Sequence, residues 1–302
     1  MDRLPPRPKR VFISVPRDHN LREPQRLLKR AVLAHLRAQG LEPQEFQVSG
    51  LPVRAPYTID ALREIMTRCH GVLVLAFSRW HDKDEAEGLA LPTVWNHFEG
   101  AFAIALKKEI LVITEQQVSE DGITWGGGGQ IVLRAPRGSG AEWLATDDTR
   151  TQLSAWVDAV KQNDDIFLAY SSKARATAND IHKYLVASGV AVRDWELNFA
   201  PGPTILEELV QASRSCLGAV MLLTRDDELA TPGAQQAVPR DNVIFEMGMF
   251  MEAKGRERVL VVLEEGAKLP ADIGGGIYLQ LKDRNDITPI HSGLSSFVRG
   301  RI

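Results

Sequence analysis

The same succession of sequence features occurs twice in this chain of 302 residues. Each copy begins with a short apolar run, at residues 11–15 and 166–170, and continues into an amphipathic stretch that ends at a glycine, Gly40 or Gly189. Two later pairs of residues are each separated by 147 positions, namely Cys69 with Cys216 and Glu99 with Glu246. Self-similarity at a nearly constant spacing indicates two structural units of the same kind.

Continuous apolar runs alternate with helical patterns in both copies, for example at residues 72–77 and 219–223. This alternation is typical of a parallel sheet covered by helices on both faces. We therefore expect an α/β protein with two tandem doubly wound, flavodoxin-like domains, at residues 1–162 and 163–302. The two glycines are expected to end helices, and a single helix is expected over residues 143–162.

Composition excludes several classes of function. The formal net charge of −3 gives no general attraction to nucleic acid, so no direct nucleic-acid partner is expected. No apolar run reaches the roughly 20 residues of a membrane span, and no signal peptide is recognised, so we expect no membrane partner. Cys69 and Cys216 suit a reduced cytoplasm, which is the expected location. Scattered histidines give no support for a metal site.

Polar and aromatic residues follow the first two strands of the second unit, where doubly wound sheets bind ligands. Tyr170, Ser171 and Ser172 come directly after the first strand. Their hydroxyl and backbone N–H groups can hold a phosphate, although a plain helix N-cap at either serine is equally consistent with the sequence. Trp195 follows the second strand, and it either stacks on a planar base or nicotinamide ring or folds over the core edge.

The most distinctive segment is PRDNVIFEMGMF at residues 239–250. Its polar opening contains Asp241, a natural N-cap, and it continues as an apolar helix with one carboxylate, Glu246. Burying a lone ionised carboxylate is costly. Glu246 therefore lies either on a narrow exposed stripe or in a pocket where it acts on a ligand. Thr204, which precedes another helix, has an ordinary capping role available to it.

Residues 165–283 resemble the TIR-like domains of bacterial cyclic-nucleotide-triggered antiphage effectors, the type fused to bacterial STING or to cyclic-nucleotide-binding domains. The segment at 239–250 carries this resemblance, followed by GRERV at 255–259 and LPADIGG at 269–275. The resemblance implies cleavage of NAD, as substrate, at the nicotinamide–ribose bond, with no cofactor. The reaction passes through an oxocarbenium-like state that a carboxylate stabilises, and the resemblance makes Glu246 the catalytic residue.

The resemblance also implies which residues contact the dinucleotide. The expected substrate-binding residues are Tyr170, Ser171, Ser172, Trp195, Phe199, Thr204, Arg240, Asp241 and Asn242. Lys173 departs from the pattern, because relatives often carry an acidic residue after the serines, and this leaves the first-loop contact open. A homo-oligomer and a cyclic-nucleotide or other nucleotide activator are implied as partners.

Residues 9–116 resemble a TIR-like or nucleoside deoxyribosyltransferase-like fold less specifically. Glu99 occupies the position of Glu246 and is a possible second site, but Pro16-Arg17-Asp18 replaces the serine loop. A nucleotide sensor or an assembly domain is the expected role. Three functions remain open: an NAD hydrolase controlled by its N-terminal domain, a nucleoside or nucleotide N-glycosidase or deoxyribosyltransferase using Glu99, and a non-catalytic TIR-type signalling and assembly module.

Overall fold

The computed structural model describes residues 4–46, 58–81, 90–198, 204–231, 234–269 and 278–302. Two compact units are present, one of residues 8–163 and one of residues 164–302 together with residues 1–7. The backbone N–H groups of Leu4 and Arg7 donate to the carbonyls of Ala187 and Gly189, so this part of the N-terminal segment packs with the second unit. No helix in the described ranges is long and apolar enough to cross a membrane.

The first unit is built on a five-stranded sheet in which every neighbouring pair is parallel. Its strands, in the order β2-β1-β3-β6-β7, are β1 (Lys9–Ser14), β2 (Leu41–Glu45), β3 (Gly71–Ala76), β6 (Glu109–Glu115) and β7 (Ile131–Ala135). A small hairpin joins β4 (Trp80–His81) to β5 (Ala90–Leu91). The helices are α1 (Glu23–Ala38), α2 (Ile59–Thr67), α3 (Val94–Ala105), α4 (Ala141–Leu144) and α5 (Asp147–Gln162). The cluster on one sheet face includes α1 and α5, and that on the other includes α2 and α3.

The second unit repeats this design. Its parallel sheet has the order β14-β13-β10-β8-β9, with strands β8 (Ile166–Ala169), β9 (Val192–Asp194), β10 (Gly218–Leu223), β13 (Val259–Glu264) and β14 (Leu279–Leu281). An antiparallel hairpin is formed by β11 (Asp227–Thr231) and β12 (Ala234–Val238). The helices are α6 (Arg175–Ala187), α7 (Trp195–Asn198), α8 (Ile205–Ser215), α9 (Asp241–Lys254) and α10 (His291–Arg301). Helices α6 and α10 contribute to one core cluster, and α8 and α9 to the other. The α/β fold with two parallel sheets is confirmed.

Local features of the repeat follow the sequence closely. Gly40 and Gly189 lie just beyond α1 and α6 with φ of +76° and +80°, the left-handed conformation that glycine adopts at a helix end, as predicted. Thr58 and Thr204 both cap the following helix by accepting a hydrogen bond from a backbone N–H three residues later. The prediction of one helix over 143–162 is wrong. Thr146 is extended and restarts the chain as α5, whose first turn carries Asp147 and Asp148 at the positive end of the helix dipole.

Candidate functional site

The chain changes direction across the second sheet between β8 and β10, because β9 was added on one side of β8 and β10 on the other. In open α/β sheets this reversal leaves a crevice at the carboxyl ends of the strands, where ligands bind. The residues that follow β8, β9 and β10 and the last residue of β13 all lie at this edge, because the strands are parallel. The candidate site is built from these residues and from α9, which packs on β8, β10 and β13.

Tyr170, directly after β8, holds the first residues after β9 in place. Its ring is buried and its hydroxyl donates a 2.8 Å hydrogen bond to Asp194 Oδ1. The ring of Trp195 lies 5.8 Å from that of Tyr170, at a tilt of 50°. Burial, together with the hydrogen bond to Asp194, raises the pKa of the Tyr170 hydroxyl, which therefore stays a neutral donor. Tyr170 thus positions Asp194 and Trp195.

Two polar atoms at this edge are buried without a hydrogen-bond partner among the described residues. They are Asp194 Oδ2, an acceptor, and Trp195 Nε1, a donor. Buried polar atoms in folded proteins are nearly always paired, so an unpaired donor and acceptor on consecutive residues indicate a place for a ligand or water. The Trp195 ring is half-buried and packs against both core clusters of the unit, which limits its freedom. Both expectations for Trp195, at the core edge and toward a ligand, are therefore compatible with its position.

The serine loop is tied to the end of β10 by hydrogen bonds. Ser171 is 6% exposed, and its hydroxyl donates to Asp226 Oδ2 at 2.5 Å. The same oxygen accepts from Thr224 Oγ1, and Lys173 Nζ donates to the backbone carbonyl of Asp226 at 2.5 Å. Ser171 makes no helix-cap bond with its side chain, so it links two loops instead of capping. Ser172 is exposed and opens a short 3₁₀ turn.

Four charged residues that sequence reasoning missed brace the same edge, namely Arg225, Asp226, Glu264 and Arg284. Glu264 ends β13 and is 3% exposed, and Arg284 donates to both its carboxylate oxygens at 2.8 and 2.6 Å. The backbone N–H of Arg225 donates to Glu264 at 2.7 Å, and Arg284 also reaches Asp226 Oδ1 at 3.4 Å. Burial alone would raise the pKa of Glu264, but the hydrogen bonds from Arg284 and Arg225 outweigh it and hold the pKa at about 2.

The internal repeat contains a signal that would have found this brace. Glu115 ends β6 as Glu264 ends β13. Glu115 accepts the backbone N–H of Ser78 at 2.8 Å, two residues after β3, just as Glu264 accepts that of Arg225, two residues after β10. An arginine, here Arg22, again donates to the carboxylate, at 3.0 Å. A glutamate ending the fourth strand of each copy therefore indicates a shared structural brace.

Glu246 lies on α9, whose buried face carries Val243, Met247 and Phe250. Glu246 is half-buried, and its Oε2 atom is buried without a hydrogen-bond partner among the described residues. Burial raises the pKa of the carboxyl group to about 7. Of the two placements open from the sequence, an exposed stripe and a pocket, this burial favours the pocket. A carboxyl group that is desolvated, unpaired and half-ionised near neutral pH suits catalysis.

The polar opening of α9 differs from the expectation in one respect. The helix begins at Asp241, so Arg240 and not Asp241 occupies the N-cap position, and the predicted N-cap at Asp241 is wrong. Asp241 accepts the backbone N–H of its neighbour Asn242 at 2.8 Å, and both residues are exposed. Arg240 forms an ion pair with Asp227, with 3.1 Å between Nε and Oδ2. These residues anchor the start of the helix that carries Glu246.

Thr204 and Phe199 complete the predicted set. Phe199 lies outside the described residues. Thr204 is exposed and forms a capping box with Glu207: its Oγ1 accepts from the Glu207 N–H at 3.2 Å, and its own N–H donates to Glu207 Oε2 at 2.7 Å. Its described bonds therefore belong to the start of α8.

Thr204→Ala is expected to lower the free energy of unfolding by about 1 kcal/mol, because the cap at the start of α8 is lost. Thr204→Ser keeps the hydroxyl and should stay close to the parent protein. Urea-induced unfolding of the three proteins measures both effects. Equal stability of all three would show that the capping box contributes nothing.

In the first unit, an asparagine side chain bridges the ends of two strands at the corresponding place. Asn96 of α3 is 1% exposed, and its Nδ2 donates to Ser14 Oγ at 3.0 Å and to the Leu75 carbonyl at 3.5 Å. Asn96 thereby bridges β1 and β3, where the first sheet reverses direction. The residue at this place in the second unit is Val243, 147 positions later. Glu99 is 7% exposed on the same helix.

The second unit matches a known family. Residues 165–283 match the family described as CAP12/Pycsar effector protein, TIR domain. CD-NTase-associated protein 12 of Sphingobacterium faecium is 33% identical over 36% of this chain and 34% of its own length. The Pycsar effector protein BcPycTIR of Burkholderia cepacia is 28% identical over 40% of this chain and 41% of its length. PaPycTIR of Pseudomonas aeruginosa is 30% identical over 38% of each chain.

These matches cover only part of every protein involved. The chain spans between about a third and two fifths of the length of the curated relatives it matches. The matched segment contains β8 to β14, the serine loop, Asp194, Trp195 and α9 with Glu246. The site described above lies almost entirely within it, and residues 165–283 are similar to the TIR domain of the CAP12/Pycsar effector family.

Proposed function

We propose that this protein is an NAD⁺ hydrolase that cleaves the nicotinamide–ribose bond, with Glu246 as the catalytic residue. The observation that carries the proposal is the buried Oε2 atom of Glu246, which has no hydrogen-bond partner among the described residues and lies on α9, the helix that carries most of the segment at residues 239–250. No structural interaction described for Glu246 accounts for the cost of burying its carboxyl group. The positively charged nicotinamide ring of a bound NAD⁺ would offset that cost.

The chemistry requires a carboxylate beside the ribose. When the bond between C1′ and the nicotinamide nitrogen breaks, its electron pair leaves with neutral nicotinamide and positive charge develops on the ribose. Ionised Glu246 stabilises that charge in a desolvated site, where electrostatic interactions are strong. Water then adds to C1′ and loses a proton, which gives ADP-ribose. The positive nicotinamide ring favours the ionised form of Glu246 once NAD is bound.

The remaining edge residues fit a dinucleotide. Asp194 Oδ2 is available to accept from a ribose hydroxyl, and Trp195 offers an indole N–H and an aromatic face. Exposed Ser172 and the N-terminus of α6 suit the pyrophosphate, because a helix N-terminus attracts anions. Tyr170, Ser171 and Arg240 support the loops and the helix that carry these groups through their bonds to Asp194, Asp226 and Asp227.

The biological role proposed follows the relatives' names. Two of them are described as Pycsar effector proteins and one as CD-NTase-associated. We extend this to an antiphage effector that acts in the cytoplasm, is switched on by a cyclic nucleotide or another nucleotide signal, and works as a homo-oligomer. The first unit is the candidate for receiving the signal or for assembly.

Nicotinamide release by the purified full chain, with and without a panel of cyclic di- and trinucleotides, tests this function. Glu246→Gln is expected to lower turnover about 100- to 1,000-fold, as losing one transition-state charge contact does. Glu252→Gln is the matched control, because Glu252 is an exposed glutamate on the same helix and should keep full turnover. Loss of turnover in Glu99→Gln alone would move the active site to the first unit. Binding of nucleotides without turnover at any protein concentration would favour the assembly module.

A further inference from the structure

Helix α3 of the first unit buries polar residues and exposes apolar ones, which is the reverse of the usual pattern. Its polar residues Asn96 and Glu99 are 1% and 7% exposed, whereas Val94, Trp95 and Phe98 are 73%, 54% and 38% exposed. A surface helix normally turns its apolar stripe to the core and its polar side chains to water. The exposed stripe of α3 is therefore built to be covered by something other than its own core.

The apolar surface extends beyond the helix. Ala101 and Phe102 continue the stripe one turn after Phe98, and Leu91 precedes the helix. Leu91 lies directly opposite Trp80 in the β4–β5 hairpin, and the two are 42% and 60% exposed. We name this surface the α3 face, which consists of Trp80, Leu91, Val94, Trp95, Phe98, Ala101 and Phe102. None of these residues carries a charge.

The size of the α3 face suits a protein contact. From the exposed fractions and the usual area of aromatic side chains, it presents about 500 Å² of apolar surface. The largest apolar patch on a typical monomer is about 300–600 Å², and patches of this size are often functional. Two such faces together bury about 1,000 Å², which is near the lower limit of a specific interface before any polar rim is added.

The aromatic rings of the face are already ordered by one another. Trp95 and Phe98 meet edge to face with centroids 6.1 Å apart, and Phe98 and Phe102 stack at 6.4 Å. The guanidinium of Arg63 lies 5.9 Å from the Phe102 ring centroid. A surface whose side chains are held in place loses little entropy on association, and aromatic residues are the usual anchors of interfaces.

The charges around the face differ between its two ends. Glu120 and Asp121 precede Gly122 and Ile123, which lie against His97 in the N-terminal half of α3. Arg63 lies over Phe102 in the C-terminal half, and exposed Lys107 follows the helix. The N-terminal end is mixed in charge, because Arg79 lies 5.4 Å from the Trp80 ring centroid and Glu120 is paired with Arg134 at 3.2 Å. The centre of the face carries no charge, so a second copy of the face can cover it without burying an unpaired charge.

We infer that the α3 face binds the α3 face of a second copy of this chain, with the two helices antiparallel about a two-fold axis. This arrangement uses the same surface on both copies and opposes the two helix dipoles. It buries the exposed aromatic residues of both copies at the centre of one interface. The inference concerns the first unit alone and does not depend on NAD cleavage by the second.

Sedimentation velocity across a range of concentrations tests the pairing. The parent chain forms a dimer, and Phe98→Asp or Trp95→Lys weakens self-association by about 30-fold or more, the effect of losing an interface hot spot. Leu27→Glu is the matched control. Leu27 is 48% exposed on α1, whose core contacts lie on the other face of the same sheet. The Leu27→Glu variant should still form the dimer. Circular dichroism melting checks that each variant is folded. A monomeric parent chain, or a dimer unaffected by either aromatic substitution, overturns the inference.

Cross-linking tests the two-fold symmetry. In a two-fold pair, a residue near the axis faces its own counterpart, so Ala101→Cys should give a covalent dimer with a short bis-maleimide reagent. The natural cysteines, Cys69 and Cys216, are buried, and Leu27→Cys serves as the negative control. A protein that dimerises through Phe98 but leaves Ala101→Cys uncross-linked would contradict the antiparallel arrangement.

Discussion

Glu246→Gln is expected to raise the free energy of unfolding at pH 8 by up to about 3 kcal/mol while it lowers nicotinamide release about 100- to 1,000-fold. The pKa of Glu246 is about 7 in the folded protein, against an ordinary value of 4.5. Between these two values the unfolded chain ionises this carboxyl group and the folded protein does not, so stability falls as the pH rises from 4.5 to 7. A pKa shift of this size lowers the free energy of unfolding by about 3 kcal/mol at any pH above 7. Glutamine does not ionise, so the variant does not lose this stability as the pH rises.

Urea-induced unfolding at pH 4.5 and pH 8 separates the alternatives. The stability difference between Glu246→Gln and the parent chain should be near zero at pH 4.5 and largest at pH 8. Glu252→Gln, on the exposed side of the same helix, should follow the parent chain at both pH values. A variant that is destabilised at pH 8 would mean that the ionised carboxylate is well solvated or paired when the protein is folded. A gain in stability with a loss of activity is the trade-off expected of a catalytic residue.

Arg284→Met is expected to lower the free energy of unfolding at pH 7 by about 2–4 kcal/mol. Among the described residues, Arg225 alone would still donate hydrogen bonds to Glu264, whose carboxylate would remain buried. The pKa of Glu264 is about 2, below the ordinary 4.5, so its interactions stabilise the protein above pH 4.5 and are lost as the pH falls toward 2. The variant should therefore lose much of this acid dependence.

A double-mutant cycle measures the interaction directly. Arg284→Met, Glu264→Gln and the double variant are unfolded in urea at pH 7 and near pH 3, with Arg299→Met, an exposed arginine of α10, as the control. We expect the double variant to be more stable than the sum of the single losses predicts, because the two side chains share one interaction. Additive losses would show that Arg284 and Glu264 act independently.

Features that depend on local sequence were predictable, and those that depend on distant partners were not. Gly40, Gly189 and Thr204 act on backbone groups within a few positions, so residue type and spacing indicate their roles. Parallel sheets follow from apolar runs at regular spacing. In contrast, Arg284 and Glu264 are 20 positions apart, and Ser171 and Asp226 are 55 apart. Such pairs depend on how strand ends meet, which no single segment encodes.

The candidate site shows the same division. Glu246 stands out because a carboxylate within an apolar helical pattern needs an explanation, and its burial agrees with that expectation. Ser171 offered two local roles, phosphate contact and N-cap, but the structure gives its hydroxyl to Asp226. Aspartate is a residue type that often occupies the N-cap position, yet α9 already begins at Asp241, and Arg240 takes that position. A residue's type narrows its possible partners, and tertiary packing selects among them.

The matching glutamates at the ends of β6 and β13 have a consequence for how a duplicated domain can diverge. In each unit a glutamate at the end of one strand, β6 or β13, accepts a hydrogen bond from the backbone just after the neighbouring strand, β3 or β10. The residues that face the crevice differ between the two units. The residues that stabilise the shared fold, such as these glutamates, are thus different residues from those that face the crevice. In one copy Asn96 bridges the strand ends and α3 exposes aromatic residues, while the other copy has Val243 at that place and the half-buried Glu246 three residues later.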